Sequence, residues 1–117
     1  MLTIGYGHTG IDVYEGMTIT EPQAEELLRK DLQRFEAAVT RLINRELTQH
    51  EFDAIVSFAF NVGTGALETS TFRKRMNRGE IKPDCFKEEF PKWVNGPNGP
   101  LPGLVRRRDA EVQLALS

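Results

Sequence analysis

Thr3, Tyr6 and His8 are threaded through a glycine-rich opening, Thr3-Ile4-Gly5-Tyr6-Gly7-His8-Thr9-Gly10. A hydroxyl, a phenol and an imidazole on one short extended segment can hydrogen-bond a ligand or pass a proton. Gly5 and Gly7 do not make a phosphate loop, because no helix follows directly and no lysine is placed for it. The nearest carboxylates, Asp12, Glu15 and Glu21, sit beside turn residues and read as solvated surface. A catalytic acid needs a sheltered pocket that raises its pKa, and nothing in their context promises one. Asp31 is a sharper case. It lies four residues after Leu27 and four before Phe35, on an apolar helix stripe. An ionised carboxylate there is costly unless paired.

Further along, Asn61 is the polar end of an otherwise apolar helix and can cap the turn at Gly63. Ser70 and Thr71 are good N-cap residues. Two basic clusters, Arg73-Lys74-Arg75 with Arg78 and Arg106-Arg107-Arg108, read as solvated helix faces. Trp93 reads as a core anchor, His50 as an exposed first-turn residue, and the single cysteine, Cys85, as a small core residue with no internal disulfide. The net charge of −2 argues against nucleic acid as a partner. No His, Cys, Asp and Glu set has metal-site spacing, so neither a metal nor a cofactor is expected. No apolar run approaches the roughly 18 residues of a membrane span, and no targeting signal is visible.

The elements that must position these groups follow from patterning. Residues 1–19 read as strand and turn, a small β-hairpin lobe punctuated by Gly5, Gly7, Gly10 and Gly16. Thr20, Pro22 and Gln23 start a long helix expected over 20–44. Thr48 and Glu51 form a second capping box. The helix behind it is apolar nearly all round from Ala54 to Val62, which marks a buried central element ended by Gly63 and Gly65. A short helix should follow Ser70-Thr71 and stop at Gly79. Another should begin near Pro83 and stop before Pro91. The run Asn95-Gly96-Pro97-Asn98-Gly99-Pro100-Leu101-Pro102-Gly103 reads as exposed loop, with a last helix from about Leu104 to Leu116. The class expected is α+β, mostly α, in one domain over 1–117, with 45–117 as a helical lobe.

Five blocks in order resemble the phage-type lysozymes. They are Thr3 to Thr9, Ile19-Thr20 with the helix to Asp31, Phe60-Asn61-Val62-Gly63, Ser70-Thr71-Phe72 with Met76-Asn77-Arg78-Gly79, and Trp93 with the loop to Arg108. The resemblance covers nearly the whole chain. It implies a lysozyme-like fold and hydrolysis of the glycan strands of bacterial peptidoglycan. It also implies a life in the host cytoplasm until release to the wall.

Residue by residue, the resemblance makes Thr3 the catalytic threonine that helps place the water or attacking group. It puts Tyr6, Asn61, Ser70 and Thr71 along the sugar cleft, with strand, core or cap roles as their alternatives. It selects Arg107 as the arginine near the acid, with Arg106 or Arg108 possible by register. It implies that His8 and Asp31 meet as a buried ion pair joining the small lobe to the long helix. The family's catalytic glutamate and aspartate precede the threonine matched by Thr3. These 117 residues are therefore expected to lack the proton donor and to show reduced or no activity, as a truncated enzyme. A non-catalytic wall-binding module and a trimmed or designed piece are the alternatives. The helix that carries the acid would leave apolar surface near the last helix and Val62 when absent, favouring self-association.

Overall fold

The computed structural model describes residues 21–117, with side chains from Ala24 onward. The expected β-lobe over 1–19, with Thr3, Tyr6 and His8, lies outside the described residues. Helix α1 spans Glu21–Leu42, α2 Gln49–Val62, α3 Thr64–Thr69, α4 Thr71–Asn77, α5 Lys82–Glu89 and α6 Pro102–Leu116. A 3-10 turn covers Phe90–Lys92, and β1 (Asn95–Gly96) pairs antiparallel with β2 (Gly99–Pro100).

The centre is α2, which packs chiefly against α6 and then against α1. Its start is the expected capping box: Thr48 Oγ1 accepts from the Glu51 backbone N–H at 3.1 Å, and Glu51 Oε1 accepts from the Thr48 N–H at 2.8 Å. Its end is Gly63 at φ +99°, a conformation that a side chain would strain. Ala54, Ile55, Phe58 and Ala59 are fully buried, as an all-round apolar helix requires. Phe58 stacks on Phe90 with centroids 4.3 Å apart, and Trp93 meets Phe58 edge-on at 5.6 Å. Phe72 and Phe86 close the cluster at 5.0 Å. Such offset and edge-to-face pairs add about 0.5–1.5 kcal/mol each beyond their buried area. Trp93 is thus a core anchor. Cys85 is buried beside these rings, and burial pushes its thiol pKa up, keeping it protonated and inert.

The C-terminal end of α1 is fastened by side chains from α4. The Leu42 carbonyl accepts from Arg73 Nε at 3.0 Å and from Asn77 Nδ2 at 2.8 Å, and the Asn44 N–H donates to Asn77 Oδ1 at 2.7 Å. These bonds satisfy backbone groups that the end of a helix leaves open. Arg75 donates to Glu80, Glu88 and Glu89 at 2.7, 2.8 and 2.9 Å. Two members of the first basic cluster are therefore clamps. Only Lys74 and Arg78 fit the expected solvated face.

Two boundaries differ from expectation. Gly65 does not terminate α2; it sits inside α3, a short helix that Gly63 allows by turning the chain. The stretch 95–103 is not one loop. Asn95-Gly96 and Gly99-Pro100 form a minimal hairpin, and α6 begins at Pro102. Proline in the first turn loses no helical hydrogen bond, because that N–H has no partner anyway. No helix among the described residues is long and apolar enough to cross a membrane.

Candidate functional site

The facing sides of α2 and α6 hold a polar network inside an otherwise apolar contact. Three consecutive arginines on α6 meet three environments: Arg106 is exposed, Arg107 partly buried and Arg108 buried. A helix rotates each successive residue by roughly 100°, so adjacent cations need not share a face. Arg108, 1% exposed, lies with its guanidinium carbon 5.0 Å from the Phe58 ring centroid. It donates from Nη1 to Glu111 Oε1 at 2.6 Å and from Nη2 to Asn61 Oδ1. Its Nε has no hydrogen-bond partner. Burial pulls the Arg108 pKa down, and the charge of Glu111 works against that shift.

Glu111 is 4% exposed and divides its two oxygens. Oε2 accepts from Ser57 Oγ at 2.6 Å and from Arg107 Nε at 3.3 Å, while Oε1 serves Arg108. Arg107 Nη2 also donates to the Ser57 carbonyl at 3.0 Å. Two guanidiniums thus share one carboxylate, and the network carries one excess positive charge.

A groove of about 390 Å³ runs along Arg108 with Val94, Val105, Val112 and Leu116, and two more flank the network. One, of about 330 Å³, lies between α1, α2 and α6 and is lined by Leu28, Leu32, Val56 and Phe60, with Arg107, Ser57, Glu36 and Asp53. The other, of about 380 Å³, is lined by Asn61, Val62, Lys92, Trp93, Asn95 and Leu104. An amide pair, an indole and an ammonium on one concave surface suit a polar ligand with apolar faces, such as a sugar chain.

Of the residues singled out from sequence, Asn61 and Arg107 are brought into this one network, on opposite grooves. Asn61 does not cap the turn at Gly63; the Gly63 N–H donates instead to the Ala59 carbonyl at 2.8 Å. Ser70 is the N-cap of α4, accepting from the Arg73 N–H at 3.1 Å and donating to the Leu67 carbonyl at 2.7 Å. Thr71 is exposed beside it, and neither residue lines the two grooves. Asp31 is 5% exposed on the buried face of α1, as its stripe position requires, and accepts from Arg34 Nη2 at 3.1 Å. Its expected partner His8, with Thr3 and Tyr6, lies outside the described residues. Among the described residues no group of three or more His, Cys, Asp or Glu could hold a metal.

Arg108, Glu111 and Ser57 were not anticipated as a network. The i,i+3 and i,i+4 spacing of Glu111 from Arg108 and Arg107 was the available signal. Ordinary surface helices carry the same spacing, so it could not show burial.

A mostly helical core around α2 with one minimal antiparallel pair defines a lysozyme-type muramidase fold. The muramidase domain of SpmX from Asticaccaulis excentricus superposes with a TM-score of 0.85 at 38% identity, over 98% of this chain and 79% of that one. The phage lysozyme family profile matches residues 1–111, and the chain belongs to that family. It is 45% identical over 115 residues to the endolysin of Bacillus phage B103, covering 98% of this chain and 43% of the relative. It is 44% identical over 116 residues to the endolysin of Acyrthosiphon pisum secondary endosymbiont phage 1, covering 96% and 77%. The chain thus spans less than half the length of the B103 relative.

Proposed function

We propose that this chain belongs to the lysozyme domain of a phage endolysin, which adds water across a glycosidic bond in the glycan strands of bacterial peptidoglycan. The family match along residues 1–111 carries this reading. The groove with Asn61, Trp93, Lys92 and Asn95 supports it as one wall of a sugar cleft. Thr3 places the attacking water or group, Tyr6 and Asn61 contact sugar, and His8 with Asp31 fastens the small lobe. Ser70 is spent as a helix cap, which leaves the exposed Thr71 hydroxyl, outside both grooves, as the member of the pair free to meet the glycan further along.

Among the described residues no carboxylate is placed as the proton donor. Glu36 and Asp53 line the other groove but are exposed, without the shelter a general acid needs. Glu111 is sheltered but fully engaged by two guanidiniums and a hydroxyl. The groove of Leu28, Leu32, Val56 and Phe60 would take the element that carries the acid, with its carboxylate beside Arg107. Apolar surface near the last helix, Val105 (45% exposed) and Leu116 (38%), with the partly exposed Val62, favours self-association. The protein works on the wall after release from the host cytoplasm.

The test incubates purified peptidoglycan with the whole gene product and, separately, with the 117-residue chain. The whole product should release reducing sugar ends. The 117-residue chain should sediment with the wall without releasing them, and should show a concentration-dependent mass in analytical ultracentrifugation. No reducing ends from the whole product would overturn the hydrolytic reading. Efficient cleavage by the 117-residue chain would overturn the assignment of the acid to another segment.

A further inference from the structure

The buried network does more than join α2 to α6, because its members end on two different surfaces. Arg107 lines the α1–α2–α6 groove, with its side chain 38% exposed. Asn61 lines the sugar-cleft groove. Arg107 reaches Glu111 directly, and Asn61 reaches it through Arg108. Resting on the wall-hydrolase reading, we infer that Glu111 is a positioning residue that sets both the arginine beside the acid and the amide that contacts sugar.

The argument is one of charge and geometry. Arg107 and Arg108 are adjacent cations, and Glu111 is the carboxylate that each of them meets at hydrogen-bond distance. Without that charge the two guanidiniums repel each other across a medium of low polarity. Arg108 cannot swing into solvent without vacating the Phe58 ring and releasing Asn61 Oδ1. Arg107 keeps its bond to the Ser57 carbonyl but loses the one to Nε, which fixes the plane of its guanidinium. A fork held at one edge rotates, and a fork held at two does not. Glu111 touches neither sugar nor the reacting atoms, so its effect is exerted through the other two residues.

Steady-state cleavage of soluble peptidoglycan fragments by the whole gene product separates this from a stability effect. Arg107→Gln should lower kcat with little change in KM, and Asn61→Ala should raise KM with little change in kcat. Glu111→Gln should do both, lowering kcat by about tenfold to a hundredfold, as misplacement of a catalytic group does. Adding either second substitution to Glu111→Gln should cost almost nothing further, the mark of residues acting as one unit. Ser57→Ala removes the bond to Glu111 Oε2 together with a longer, 3.4 Å bond accepted from Arg107 Nη2, and should lower kcat by about threefold, the value of a single hydrogen bond. It stays informative if Glu111→Gln does not fold. A Glu111→Gln protein with a lower Tm but unchanged kcat and KM overturns the inference, as do additive losses or an inert Ser57→Ala. If the unsubstituted gene product cleaves nothing, the hydrolytic reading fails. The positioning claim is then judged in the 117-residue chain by NMR. The Arg107 Nε–H resonance should shift and broaden on Glu111→Gln, and an unchanged resonance would sink it.

Discussion

The two basic clusters look alike in sequence and behave oppositely in the fold. On α4, Arg75 is met by three carboxylates, and Arg73 is bound to the end of α1. On α6 the ratio is inverted, with one carboxylate, Glu111, between two arginines. At Arg75 the positive charge is fully matched by carboxylates that tie α4 to α5 and to the turn between them. The second leaves one positive charge over, beside two grooves. Where a cation is fully matched, as Arg75 is, the simplest account is structural; where a buried network is left over-charged, a further anion has a reason to bind.

This contrast can be broken most forcefully at Arg108. Arg108→Ala removes a buried cation, its Phe58 contact and its bond to Asn61, and should cost about 3–5 kcal/mol, as breaking a buried pair does. Urea denaturation would measure it, and a loss below about 1 kcal/mol, typical of exposed pairs, would mean the network is as solvent-screened as a surface pair. Next in size is Asn77→Ala. It removes a side chain that bonds both the Leu42 carbonyl and the Asn44 N–H, and should cost about 1–3 kcal/mol.

The Arg75 cluster should show itself chiefly through pH. Arg75, followed by Arg78, holds the Glu80 carboxyl below its ordinary range. A carboxylate whose pKa is lowered by folding stabilises the protein above its unfolded pKa and loses that contribution as pH falls through the folded value. Thermal melts of the native chain should therefore drop on acidification below the ordinary carboxylate range. Arg75→Gln should flatten that part of the profile, and an unchanged acid slope would disprove the coupling. Smallest of all, Lys74→Ala and Arg106→Ala remove the exposed members of the two clusters and should stay within about 0.5 kcal/mol of the parent. A larger effect at either position would erase the distinction between buried and exposed cations.

Much of the helical order was legible in sequence. Thr48 and Glu51 announced the start of α2, and the unbroken apolar run from Ala54 made it central. Asp31 was placed on a buried face by its spacing alone. The hairpin at Asn95–Pro100 was not legible, because glycine and proline mark a turn without saying whether its arms pair. Asn61 was found as a candidate, but its partner was not, since Arg108 lies 47 residues away.

Local chemistry by itself determined where α2 begins and where Gly63 breaks it, because capping and periodicity act over a few residues, while the lysozyme-type family was read from the resemblance of five ordered blocks. The ranking of Arg106, Arg107 and Arg108 was decided only by the tertiary structure. Their side chains are chemically identical, and burial depends on which face of α6 the aromatic core under α2 happens to cover. That same docking turned Glu111 from one more surface acid into the charge that both arginines share.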